Sequence, residues 1–170
     1  ARSFQHASPP HRVPVMHLRF TGIDPSPFRP LFQLDDDTLA SRGVERQHVS
    51  SCPGTPDRVS LTYLAPGQTA LLLHYVHQPA DTPYRASHAI FVGETDSKPA
   101  CYVDQLPPAL AIRPLSLRAF SAGHRMIDAE LAEGDAALGA AARLLARADV
   151  AYLHAHFARF GCFAARVDRA

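Results

Sequence analysis

Two histidines one residue apart, His154 and His156, precede a thiol, Cys162, a guanidinium, Arg166, and a carboxylate, Asp168. Two imidazoles on the same face of a strand can chelate a divalent metal such as zinc. A third ligand would then come from His74, His77, Asp128 or Cys162. Cys162 is also a candidate nucleophile, because a neighbouring histidine and arginine favour the thiolate. A histidine that titrates near neutrality moves protons at physiological pH. The same residues would equally suit a partly exposed polar sheet face, and a lone H-x-H pair does not choose between these readings.

Alternation places these groups. Ala151, Leu153, Ala155 and Phe157 are apolar, so Tyr152, His154 and His156 face the other way. Phe163, Ala165 and Val167 are apolar on the next strand, which leaves Cys162, Ala164, Arg166 and Asp168 opposite them. A hairpin loop Arg159-Phe160-Gly161, ending on a left-handed glycine, sets the register. It predicts His154 opposite Arg166, His156 opposite Ala164, and Cys162 diagonally beside His156. Tyr152, His154, His156, Cys162, Arg166 and Asp168 would then share one side of the sheet.

A second polar cluster runs from His77 to His88 and is stiffened by Pro79 and Pro83. Loops leaving a rigid strand often carry binding groups. His77, Tyr84, Arg85 and Ser87 are candidates for holding an anion by stacking and forked hydrogen bonds. A stiff connector with a local Asp81–Arg85 pair is the alternative. Arg118 and Asp128 interrupt apolar strands and suggest a structural ion pair or solvent-facing residues.

These residues need a scaffold. Strands are expected over 17–22, 44–49, 58–63, 70–77, 87–92, 115–120, 125–130, 151–157 and 163–167. The near-continuous apolar run 70–77 suggests a central strand buried on both faces. Asp35, Asp36 and Asp37 open a short helix that ends before Gly43. A helical turn is expected over 107–112. Leu138, Ala141, Ala142, Leu145 and Ala148 form a stripe at helical spacing, predicting one long helix over 132–148. Neighbouring strands with few intervening helices imply an α+β fold with a mainly antiparallel, twisted sheet, one long helix and short helical turns.

The 170 residues suit a single domain, assigned to 16–170. Residues 1–15, rich in proline and ahead of Met16, are read as a flexible extension or vector-derived residue. A formal net charge of +1 and scattered arginines argue against nucleic-acid binding. No apolar run reaches the length of a membrane span, and no signal peptide is evident. The three cysteines, Cys52, Cys101 and Cys162, are odd in number and widely spaced. They form neither a disulfide framework nor a zinc ribbon, so a cytoplasmic protein is expected.

The stretch His77 to Ser87 running into Ile90-Phe91-Val92 resembles the middle signature of a bacterial domain-of-unknown-function family, DUF1203. His154-Ala155-His156 followed by Gly161 to Arg169 resembles its C-terminal signature. The opening strand and the Pro25–Leu31 turn are also similar. The family pattern has asparagine where His74 and Phe157 stand and a small residue where His88 stands. The resemblance implies no activity or cofactor, only residues to watch: His77, Tyr84, Arg85, Ser87, His154, His156, Cys162 and Arg166. Three classes of function follow from the sequence. The first is a small-molecule enzyme on an anionic substrate, with His154, His156 and Cys162 catalytic and Arg85 and Arg166 binding charge. The second is a binding module for an anionic metabolite or protein partner. The third is a structural or interaction protein.

Overall fold

The computed structural model describes residues 15–170, so nearly all of the expected N-terminal extension lies outside the described residues. Nine strands form two antiparallel sheets. In chain order they are β1 (Leu18–Thr21), β2 (Glu45–His48), β3 (Thr69–Gln78), β4 (Ala86–Gly93), β5 (Cys101–Val103), β6 (Leu115–Phe120), β7 (Met126–Ala132), β8 (Tyr152–Phe157) and β9 (Phe163–Arg169). The larger sheet has the order β5-β1-β9-β8-β6-β7, and the smaller has β2-β3-β4. Helices are short: α1 (Asp36–Ser41), α2 (Pro108–Ala111) and α3 (Ala136–Leu145), with a 3-10 turn over Arg29–Gln33. Mostly antiparallel sheets with few helices describe this chain. Among the described residues no helix is long and apolar enough to cross a membrane.

Each face of the larger sheet has its own cover. Leu117, Leu153, Ala155, Ala165 and Val167 pack with Ala137, Ala140, Ala141 and Leu145 of α3. On the smaller sheet Leu71, Leu73, Ile90 and Val92 pack with Ile23, Phe32, Val59 and, from β9, Phe163. The alternation of β8 therefore aims His154 and His156 at the smaller sheet rather than at water, and all six residues of that strand are buried.

Three expectations are corrected. The helix is α3 alone, ten residues rather than 132–148, because β7 runs on to Ala132 and Gly134 turns the chain at φ 54°. The sheet is two sheets, and the run 70–77 alternates, with its second half partly exposed. No strand forms over 58–63. Asp57 there accepts the backbone N–H groups of Val59, Ser60 and Gly93, and Leu61 is left-handed at φ 58°. A local carboxylate turn takes the donors that a ladder would need.

The 58–59 segment crosses the end of β1 closely. Ile23 N–H donates to the Arg58 carbonyl at 2.9 Å, and a Cβ on Gly22 would collide with the Val59 carbonyl, whose carbon would stand 2.9 Å away. Gly22→Ala is therefore expected to lower stability by about 2–3 kcal/mol, since backbone rather than a flexible side chain must yield. Urea denaturation followed by circular dichroism measures it. An unchanged midpoint would mean that the two backbones separate freely.

Candidate functional site

Three imidazoles meet between the sheets. His154 and His156 come from β8, and His77 comes from β3. One ring nitrogen from each lies within 4.8 Å of the others. Ring centroids are 4.8 Å apart for His77 and His156, 5.8 Å for His77 and His154, and 6.2 Å for His154 and His156. Phe163 closes one side, its ring stacked on His77 at 5.3 Å and 3°.

Alternation along β3 and β8 brings the three rings together, and a bulge in each sheet sets what surrounds them. The β3–β4 register shifts between Tyr75 and Gln78. Consecutive residues His77 and Gln78 both reach the β8 face: His77 meets its histidines, and Gln78 donates to the Tyr152 hydroxyl at 2.8 Å. The β8–β9 register shifts between Ala155 and His156. His154 faces Arg166, but His156 faces Phe163 instead of Ala164.

Burial decides the protonation of the cluster. It pushes His77 down to about 4, helped by the Arg118 and His88 charges. Burial first, then the other two imidazoles, Arg166 and Arg118, push His154 down to about 3. His156 also falls to about 3 through burial, against the opposing pull of its bond to Gly161 and with help from Arg118. At neutral pH all three rings are uncharged. The Gly161 carbonyl lies 2.9 Å from His156 Nδ1 and can only accept, so it holds the proton there and leaves a lone pair on Nε2. That Nε2, with the Nδ1 atoms of His77 and His154, is buried without a hydrogen-bond partner.

The cluster opens on a cleft of about 510 Å³. His77 and His154 line it together with Arg19, Tyr75, Arg166 and Asp168. They also line a neighbouring recess with Gln78, His124 and Tyr152. Arg166 is contacted on two sides. Its Nε and Nη2 donate to Asp168 at 2.9–3.0 Å, and its guanidinium lies 4.0 Å over the Tyr152 ring.

The other sequence candidates lie elsewhere. Cys162 is not beside His156. The bulge turns Phe163 toward the histidines and Cys162 to the opposite side, where it joins the α3-side core. There the buried Arg58 donates to its Sγ at 3.2 Å. The shared thiol–imidazole face read from alternation thus fails at one inserted residue. Tyr84, Arg85 and Ser87 line neither the cleft nor the recess beside it. Tyr84 lies under Arg125, Ser87 bonds His74, and Arg85 is exposed. Among the described residues Asp81 and Arg85 form no ion pair, and Asp128 pairs with Arg147 rather than Arg118.

Arg118 is read in sequence only as half of an ion pair or as solvent-facing. It is half-buried across from His154, has no carboxylate partner among the described residues, and its charge reaches all three imidazoles. Its only signal was a charged residue inside an apolar strand. Tyr75 and Arg19 gave none.

A family profile described as "Protein of unknown function (DUF1203)" matches residues 54–169. The chain belongs to this family. No curated protein and no solved structure matches it. The DUF1203 span includes all three histidines, Arg118 and Arg166; β1, with Arg19, precedes it.

Two outcomes follow for this DUF1203 protein. Between the ordinary histidine value near pH 6.5 and the folded values of about 3–4, the unfolded chain binds protons that the folded chain refuses. The stability from neutral burial is complete above pH 6.5 and is lost as pH falls toward 4. The urea midpoint of metal-free protein should drop between pH 7.5 and pH 5, with a slope that shrinks by about one proton in His154→Asn. A flat profile would contradict neutral burial. Thiol labelling without denaturant should modify the exposed Cys52 and Cys101 quickly and the buried Cys162 slowly. Equal rates for all three would show that the Arg58–Cys162 side opens readily.

Proposed function

We propose that this DUF1203 chain is a mononuclear metalloenzyme for a small anionic substrate, with His77, His154 and His156 as ligands to a divalent ion such as zinc. The observation that carries this reading is a cluster of three imidazoles beside an open cleft, with one nitrogen of each within 4.8 Å of the others and one buried nitrogen of each without a hydrogen-bond partner. Buried polar atoms in folded proteins are overwhelmingly bonded, so three orphans in one cluster call for an occupant. Nitrogen donors suit zinc, and catalytic zinc keeps three protein ligands plus one open position. The Gly161 carbonyl behind His156 is the kind of outer contact that orients a metal-binding ring.

The nitrogens spread over up to 4.8 Å, wider than the roughly 3.3 Å between ligands of a tetrahedral zinc ion, so the three rings would have to draw together to hold one ion. Neutral imidazoles leave the full charge on the ion. It would lower the pKa of a bound water to about 7 and polarise a substrate oxygen. Arg166, opposite His154 and bonded to Asp168, supports the anionic substrate beside the metal. The positive charge of Arg118 beside the histidines would raise the cost of a bound dication and favour an anionic group at the site. Cys162 has no part in this reading.

Elemental analysis and zinc titration calorimetry test it. One ion per chain is expected, with affinity falling at least about a hundredfold in His77→Ala and His154→Ala. His74→Ala, an exposed control, should leave it unchanged. Wild-type protein that binds no metal would remove the enzyme proposal and leave the arginine-lined cleft as a metal-free anion-binding module.

A further inference from the structure

We infer that the substrate carries two anionic groups, one beside the metal and Arg166 and the second on Arg19 at the far side of the same cleft. This rests on the metal reading above and names the substrate class that the site selects.

The sheet register sets the spacing. Across the larger sheet His154 faces Arg166 and Arg166 faces Thr21, while Asp168 faces Arg19 one step further along. Arg19 is therefore two strands and two residues from His154. With about 4.8 Å between strands and about 3.4 Å per residue, their Cα atoms stand roughly 12 Å apart. Arg19 and His154 nevertheless line one cavity, so a ligand in it can meet both.

Charge points the same way. Two guanidiniums line the cleft against one carboxylate, leaving an excess of one positive charge before any metal binds. Asp168 does not cancel both. Its oxygens accept from Arg166 at 2.9–3.0 Å, and Arg19 has no hydrogen-bond or ion-pair partner among the described residues although it faces Asp168 in register. An unpaired arginine offers a planar fork of donors that suits a carboxylate or phosphate. A volume of about 510 Å³ holds a chain of a few carbons with a charged group at each end. Arg19 is then a specificity residue: it reads the tail of the substrate and takes no part in the chemistry at its head.

The test uses cobalt-loaded protein, whose absorption reports anions that reach the metal. Acetate is the one-headed probe; malonate, succinate and glutarate are two-headed probes of increasing span. In the wild type the best dicarboxylate should bind about tenfold more tightly than acetate. Arg19→Ala should abolish that advantage and leave acetate affinity within about twofold, since it removes only the distant contact. Arg19 is exposed, so the variant should melt with the wild type. A wild type that binds acetate and every dicarboxylate equally overturns the inference. So does an Arg19→Ala variant that keeps the dicarboxylate preference. Protein that takes up no cobalt fails earlier, at the metal reading, and is distinguished by elemental analysis before any anion is added.

Discussion

A three-stranded sheet packed over the polar face of a six-stranded one takes three imidazoles largely out of water, and the one carboxylate lining their cleft, Asp168, is bonded to Arg166. Imidazolium in that position would be poorly solvated and have no carboxylate of its own, and Arg118 and Arg166 add positive field. Neutral rings are the cheaper state, which is why all three hold their protons weakly. Neutral rings have lone pairs, and one nitrogen on each has nothing to receive it. The proposed chemistry is a consequence of that packing rather than of any one residue.

Two inserted residues aim the groups. Without the bulge in β3, strict alternation would send Gln78 away from the larger sheet while His77 faced it. With it, Gln78 reaches the same side as His77 and bonds Tyr152. Without the bulge in β9, Phe163 would fall on the far face and Cys162 would stand near His156. With it, Phe163 stacks on His77 and walls the cluster. Bulges beside functional sites commonly re-aim side chains in this way.

A buried arginine ties the two layers behind the site. Arg58 is 2% exposed, yet it donates to the carbonyls of Phe163 at 2.7 Å and Pro56 at 2.5 Å, and to Cys162 Sγ. Its charge is balanced in part by the neighbouring Asp57, itself saturated by three backbone N–H groups. These bonds hold the start of β9 against the loop that crosses β1. They set the position of Phe163 and hence the wall of the histidine cluster. Cys162 belongs to this tether, and its closeness in sequence to the histidines does not carry over into space.

Local chemistry was legible in the sequence. Alternation named the histidine face of β8, Asp35 capped α1 through its bond to Thr38, and the facing of His154 and Arg166 followed from the hairpin. These depend on neighbours a few residues away, where periodicity and capping act. Tertiary structure decided the rest. A bulge costs one residue of register and leaves no mark in composition, so the separation of Cys162 from His156 was not readable. Nor was the second sheet, because the strand signal of β3 is the same whichever sheet it joins. His77 meets His154 from 77 positions away in sequence, a contact that only packing creates. Arg118 became a neighbour of the cluster because the smaller sheet covers its face. The sequence alone determined which groups could do chemistry and which way β8 aims its histidines. Only the closing of one sheet over the other decided which groups share a cleft, because burial and long-range contact are properties of the packed chain.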